Sequence, residues 1–173
     1  MAVLNVHERL LPAKPSEVGA LLDGLAGPGD LLWPGDAWPP MRLDRELSPG
    51  ARGGHGPVRY TVSAYAPQQW VRFTFSGPRG LHGFHEYTVH PVDEERTVLR
   101  HTLTLRPRGP ARLAWPLFYR ACHDAVLEDS LDRAEHALTG TVARPSRWSP
   151  YVRLLRRLAA RRESPSPGQG TRT

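Results

Sequence analysis

Three observations predict an α+β fold in which a curved antiparallel sheet wraps around a long C-terminal helix. From residue 57 the hydrophobic pattern has period two and keeps it for almost fifty residues. A continuous helical pattern then occupies 110–138, and a strand followed by a short helix opens the chain. The length of 173 residues favours one domain with a modest core, placed at 1–139, ahead of a basic tail at 140–173.

Residues 2–11, AVLNVHERLL, alternate well enough for a first strand, in either of two registers. Leu4, Val6 and Leu10 share one face; Val3, Asn5, His7, Arg9 and Leu11 share the other. Pro15 and the following SEVGALLDGL predict a helix from about Ser16 to Leu25, with Val18, Leu21, Leu22 and Leu25 at helical spacing and Gly27 as the stop. Residues 27–57 carry 13 Gly or Pro, which predicts a long loop with one strand near Met41 to Leu47. Trp33 and Trp38 in that loop either cover a cavity entrance or pack onto the domain.

Four strands follow. Val58, Tyr60, Val62 and Ala64 share a face, as do Val71, Phe73 and Phe75, then His85, Tyr87 and Val89, then Leu99, His101, Leu103 and Leu105. The helical stretch places Leu113, Leu131, Ala134 and Leu138 within about 40° of Leu127, a stripe fit to lie on a sheet. Pro116 implies a kink or a helix start at Trp115-Pro116, and Gly140 ends the element. A sheet wrapped around such a helix encloses space, so an apolar ligand cavity is expected before any residue suggests one.

Order, lengths and wording resemble a known superfamily. The opening VHERLLPAKPSEVGALL is similar to the first strand and "xxAPxExVWxLL" helix entry of the START-like, helix-grip superfamily, SRPBCC, which includes polyketide cyclase/dehydrase and lipid-transport members. The resemblance covers roughly residues 2–138, with Lys14 where the family commonly has proline. It implies the helix-grip fold and binding of a hydrophobic small molecule such as a polyketide, lipid or aromatic metabolite. It does not imply one reaction.

Polar residues on faces that should be apolar are the candidate site. Arg120, His123 and Asp124 fall about +20°, −40° and +60° from Leu127 on the helix, while Tyr60, His85, Tyr87 and His101 take the inward parity of their strands. In one reading Arg120 and Asp124 form a surface ion pair and the rest are satisfied structurally. In the other, His85, His101 or His123 shuttles a proton in cyclase or dehydratase chemistry, in a ligand site completed by Tyr60, Phe73, Phe75, Tyr87, Leu103, Arg120, Asp124 and Leu127. No metal or other cofactor is expected: His82, His85, Glu86 and His90 do not share one side of a strand, and His123, Asp124 and Glu128 lack a metalloprotease spacing. Cys122 points away from the sheet and has no evident activating base.

The charge is uneven. Residues 140–173 hold eight arginines against Glu163, leaving 1–139 near neutral; a nucleic-acid role is therefore not favoured. Ser149 and Pro150 open a helix at 149–162, with Tyr151, Leu154, Leu155 and Leu158 as its stripe and a basic remainder, suited to an anionic membrane surface, a partner groove or docking on its own domain. Disorder is expected after it, over 163–173. The single cysteine and the absence of a signal-peptide core in the first dozen residues favour a cytoplasmic protein.

Overall fold

A computed structural model describes residues 2–163; the rest of the end expected to be disordered lies outside the described residues. The elements run β1 (Val3–Leu11), α1 (Pro15–Asp23), β2 (Arg42–Leu43), β3 (Arg52–His55), β4 (Val58–Ala66), β5 (Trp70–Gly77), β6 (Leu81–Pro91), β7 (Thr97–Pro107), α2 (Ala111–Ala114), a π-turn (Trp115–Tyr119), α3 (Arg120–Thr139) and α4 (Pro150–Glu163). The seven strands form one antiparallel sheet in the order β1-β7-β6-β5-β4-β3-β2. Hairpins join β3 through β7, while β1 closes on β7 from the opposite end of the sequence.

The β1 register is resolved in favour of the more polar face. Asn5, His7 and Arg9 point inward with Val3 and Leu11, whereas Leu4, Val6 and Leu10 are exposed. The reason lies on α3, where Asp124, Glu128, Asp132 and Glu135 follow one another at helical spacing and meet that strand. Arg9 donates to Asp132 at 2.8 Å, to Glu128 at 3.3 Å and to Glu135. A slip by one residue would bury Leu10 but strand the acids without a cation.

α1 starts at Pro15, and the Glu17 carboxylate accepts the Lys14 backbone N–H at 2.9 Å, closing the first turn. Gly19 stands in its middle because α1 lies almost on the β4–β5 turn: a Cβ there would be 2.6 Å from both Cβ and O of Gln68. The loop between α1 and β4 contains two strands, not one. β3, which passes through Gly53 and Gly54, escaped sequence detection because it lacks the alternating apolar side chains that mark a strand.

Two irregularities shift the predicted faces. β4 bulges between Val62 and Ala64, so Tyr65, not Ala64, pairs with Val71 and packs on the core. The expected kink near Pro116 is a π-turn, and the extra residue it inserts rotates everything before it relative to α3. Leu113, placed on the sheet-facing stripe by a uniform 100° count, is 70% exposed. Beyond the turn the count holds, and Leu127, Leu131 and Ala134 are buried. Gly140, at φ 75°, supplies the left-handed cap, its N–H bonding to the His136 carbonyl at 2.8 Å.

The two loop tryptophans are core residues and not a lid. Trp33 and Trp38 are buried, with Trp33 Nε1 donating to the Pro39 carbonyl and Trp38 Nε1 to Asp129 at 2.7 Å. Asp129 also accepts Trp148 Nε1 at 2.7 Å and Ser146 Oγ at 2.9 Å. This carboxylate therefore ties the long loop, α3 and the approach to α4 together. α4 packs through Val152, with Arg156 over the Trp38 ring and donating to the Ala37 carbonyl.

Candidate functional site

The inner face of the sheet carries an unbroken column of rings. Pairing sets His7 opposite His101 and His101 opposite Tyr87, while His85 lies between Leu103 and Phe73. His85 stacks between Phe73, at 4.9 Å between centroids and 17° between planes, and Phe75, at 5.2 Å and 30°. Tyr60 meets His85 edge-on at 5.1 Å, and His85 is followed by His101 at 5.3 Å, His123 at 5.3 Å and His7 at 6.0 Å. Trp115, at the head of the π-turn, closes on His123 at 5.8 Å.

Of the residues predicted for the site, Tyr60, Phe73, His85, Tyr87, His101, Leu103 and Leu127 are buried together between sheet and helix. His123 joins them from α3, with 15% of its side chain exposed. Arg120 does not: its side chain is 64% exposed, and it lies 3.7 Å from Asp124 as the surface i,i+4 pair of the structural alternative. It is the first residue of α3, and its long side chain runs out to solvent. Asp124 turns toward β1, accepting Asn5 Nδ2 at 3.0 Å and lying 3.2 Å from His7 Nε2. Phe75, half-buried, reaches the rim.

The expected hollow is shifted. Where an apolar chamber was predicted, rings lie about 5–6 Å apart between centroids, and an open groove of about 500 Å³ lies at one end. Phe75, Pro78, Leu81 and Pro110 supply its apolar wall and Arg79 and Arg108 its basic edge. Phe75 is common to the groove and the column, so the groove leads to His85.

Burial governs the electrostatics of the column. It pushes His85 and His101 well below the ordinary histidine pKa, with the neighbouring imidazoles adding to the effect, and holds both rings neutral. His55, whose ring lies 6.0 Å from Tyr60, is pushed down to about 3 for the same first reason. Burial also lowers His123, against the opposing charge of Asp124, and raises the Tyr60 and Tyr87 hydroxyls. At the seam with β1, burial opposes the charged forms, yet the imidazoles of His123 and His7 hold the Asp124 carboxyl below its usual range and the two carboxylates keep His7 raised. Burial raises the Cys122 thiol, which fits an unreactive side chain.

Several buried polar atoms have no partner among the described residues. Those at the site are Tyr60 Oη, His85 Nε2, His101 Nδ1, both ring nitrogens of His123 and Asn5 Oδ1, whereas Tyr87 Oη is satisfied by Ser130 Oγ at 2.9 Å. His85 Nδ1 and His101 Nε2 lie 3.2 Å apart. Sequence reasoning missed His7, Asn5 and Ser130 as site residues, and weighed Glu128 only beside His123 and Asp124 as a metal set that it put aside. The acidic spacing 124, 128, 132, 135 was the available signal that β1 would turn a basic face to α3.

No family model matches the chain, and no curated protein matches it in sequence. Solved structures do. It is similar to CalU16 from Micromonospora echinospora, at 12% identity over 93% of this chain and 86% of that one, with a TM-score of 0.59. It is similar to truncated norcoclaurine synthase from Thalictrum flavum, at 15% identity over 80% of this chain and 95% of that one, with a TM-score of 0.60. Ara h 8.0201 matches at 14% identity over 82% and 100%, with a TM-score of 0.58. At such identities the likeness is one of fold: the chain has the helix-grip fold, a curved antiparallel sheet around a long helix.

Proposed function

We propose that this protein binds a hydrophobic small molecule bearing oxygen functions, of polyketide or aromatic-metabolite type, and acts on it as a cyclase or dehydratase through its buried imidazoles. The observation that carries the reading is the set of unpartnered polar atoms inside an otherwise apolar interior, Tyr60 Oη, His85 Nε2 and His101 Nδ1. Each such group costs roughly 1–3 kcal/mol unless something pairs with it. A guest with hydroxyl or carbonyl groups would do so, entering along Phe75 from the groove and displacing ring contacts as it moves inward. A related norcoclaurine synthase is described in complex with a transition-state analogue, which supports use of this fold for small-molecule chemistry.

The histidine pair suits proton transfer without net charge. Because one imidazole donates to the other across 3.2 Å, the outer nitrogens always differ: when His101 donates to His85, His85 Nε2 bears a proton and His101 Nδ1 a lone pair. Uptake of a proton at His101 Nδ1, transfer of the shared proton to His85 Nδ1 and release of the proton on His85 Nε2 together leave both rings neutral with those roles exchanged. The pair can therefore accept a proton from an enolisable position at one nitrogen and deliver one to a carbonyl or leaving hydroxyl at the other. Neutral rings, kept so by burial, are the forms this exchange needs.

The test is binding and turnover with polycyclic phenols, ketones and their deoxy hydrocarbons, followed by tryptophan fluorescence and product analysis. Oxygenated compounds should bind at least about tenfold tighter than the hydrocarbons, and Leu81→Glu in the groove wall should abolish binding. Equal affinity for both classes removes the proposal. If His85→Ala, His101→Ala and His123→Ala all leave product formation unchanged, imidazole catalysis is rejected and only binding stands.

A second reading, a non-catalytic carrier that touches an anionic membrane, is favoured by one specific surface. On α4, Tyr151, Leu154 and Leu158 face outward, and the Tyr151 hydroxyl donates to the Leu117 carbonyl, which joins them to the exposed Leu117 and Phe118 of the π-turn. Arg153 and Arg157 are exposed on α4, and Arg120 is exposed at the start of α3. Vesicles containing phosphatidylserine should bind the intact protein and lose it on Leu154→Asp with Leu158→Asp; equal partition of both proteins refutes this reading. Among the described residues, no helix is long and apolar enough to cross a membrane.

A further inference from the structure

We propose that His7, His123 and Asp124 form a binding site for a divalent transition-metal ion, zinc being the simplest, at the seam between β1 and α3. This site lies beyond the ligand-binding reading and does not depend on it. Among the described residues, these three bring one ligand atom each within 4.8 Å of one another. His7 Nε2 lies 3.2 Å and His123 Nδ1 3.7 Å from the same carboxylate oxygen, Oδ1 of Asp124. Metal–nitrogen and metal–oxygen bonds of about 2.0–2.2 Å around a tetrahedral ion set neighbouring donors about 3.3–3.6 Å apart, so the two pairs that share Asp124 already stand near that spacing, and the nitrogens of His7 and His123, within 4.8 Å of each other, would close by at most about 1.5 Å on binding.

The surrounding hydrogen bonds prepare the donors. Glu128 Oε1 lies 2.7 Å from His7 Nδ1, and a carboxylate can only accept, so the Nδ1 of His7 carries the proton and its Nε2 is aimed at Asp124. A carboxylate behind the non-ligating nitrogen is the usual support of a metal-binding histidine. Arg9, bound in turn to Glu128 at 3.3 Å, holds that support in place, and Asn5 Nδ2 orients Asp124 at 3.0 Å.

What points to an ion, beyond a fortunate cluster, is His123. Both of its ring nitrogens are buried and without a hydrogen-bond partner among the described residues, and one of them faces Asp124 from 3.7 Å, too far for a hydrogen bond. A proton on His7 would satisfy the contact with Asp124 and leave His123 unpaired. An ion would engage His7, Asp124 and the His123 nitrogen that faces Asp124, leaving the other His123 nitrogen as the bound ring's N–H. Asp124, with 35% of its side chain exposed, opens the site to solvent, so a water would complete the coordination and remain exchangeable.

The experiment uses the untagged full chain freed of metal with a chelator. Zinc titrated in a calorimeter should bind at one ion per chain, and cobalt should give a visible absorption band that zinc displaces. Asp124→Asn and His123→Gln should each weaken zinc binding at least about 30-fold, and Glu128→Gln, which removes no ligand, about 10–100-fold. Circular dichroism establishes that each variant is folded; Asp124, partly exposed, is the substitution least dependent on packing. Absence of a stoichiometric ion in the unaltered protein overturns the proposal. So does zinc binding that survives in the folded Asp124→Asn variant, which would assign the ion to exposed histidines such as His82, His90 or His136.

Discussion

Replacing His85 by phenylalanine should make the protein less sensitive to acid, by an amount the structure allows to be worked out. His85 is 6% exposed and stacked between two phenylalanines, a place a phenyl ring can take. Burial depresses its folded-state pKa well below 6.5. A depressed histidine is neutral in the folded protein while the unfolded chain takes up a proton, so stability falls as pH drops below 6.5. The loss is about 1.4 kcal/mol per pH unit for each such ring, until the folded-state pKa is reached. Between pH 7 and pH 5 one histidine therefore removes about 2 kcal/mol. Urea unfolding of both proteins at the two pH values measures this directly. The cost of repacking and of leaving His101 Nε2 unpaired appears equally at each pH, so it cancels in the difference. The stability gap should move by about 2 kcal/mol in favour of His85→Phe on going to pH 5. A gap that stays constant within about 0.5 kcal/mol would show that the ring is not held neutral by burial, and the electrostatic reading of the column would fail.

Asp129→Ala should cost about 2–4 kcal/mol, since two indole N–H groups and the Ser146 hydroxyl lose their acceptor; melting should fall by roughly 5–12 °C with a change in tryptophan emission. Gly19→Ala should destabilise by about 1–3 kcal/mol in chemical denaturation, although alanine is the better helix former, because its Cβ meets Gln68 at 2.6 Å. A neutral or stabilising result would show that α1 is not clamped to the β4–β5 turn. Arg9→Ala should cost about 2–3 kcal/mol in urea unfolding, below the 3–5 of a fully buried pair because the side chain is 20% exposed.

The parts legible in the sequence were those set by local alternation. β7 shows Leu99, His101, Leu103 and Leu105 inward as their parity requires, and α3 buries Leu127, Leu131 and Ala134 where a 100° step puts them. The same arithmetic failed at Ala64 and Leu113 because a bulge and a π-turn each insert a residue, and neither leaves an apolar signature of its own; Arg120 left the site for another reason, its long side chain running out to solvent from the first residue of α3. β3 was hidden for a related reason, since Gly53 and Gly54 have no side chains to alternate. For the candidate site, His85 and His101 could be read from parity alone, whereas His7 could be placed only once the acids of α3 were seen against β1.

Period and turn chemistry in the sequence by itself determined the order of the longer strands and helices, the antiparallel sheet they form, the long helix and the presence of histidines on an inner face. Only the tertiary structure decided which face of β1 turns inward, how closely the inner rings stand, and that His7, His123 and Asp124 come together across more than a hundred residues. The division is physical: alternation and helical phase act between near neighbours, whereas a buried charge finds its partner only when distant elements pack.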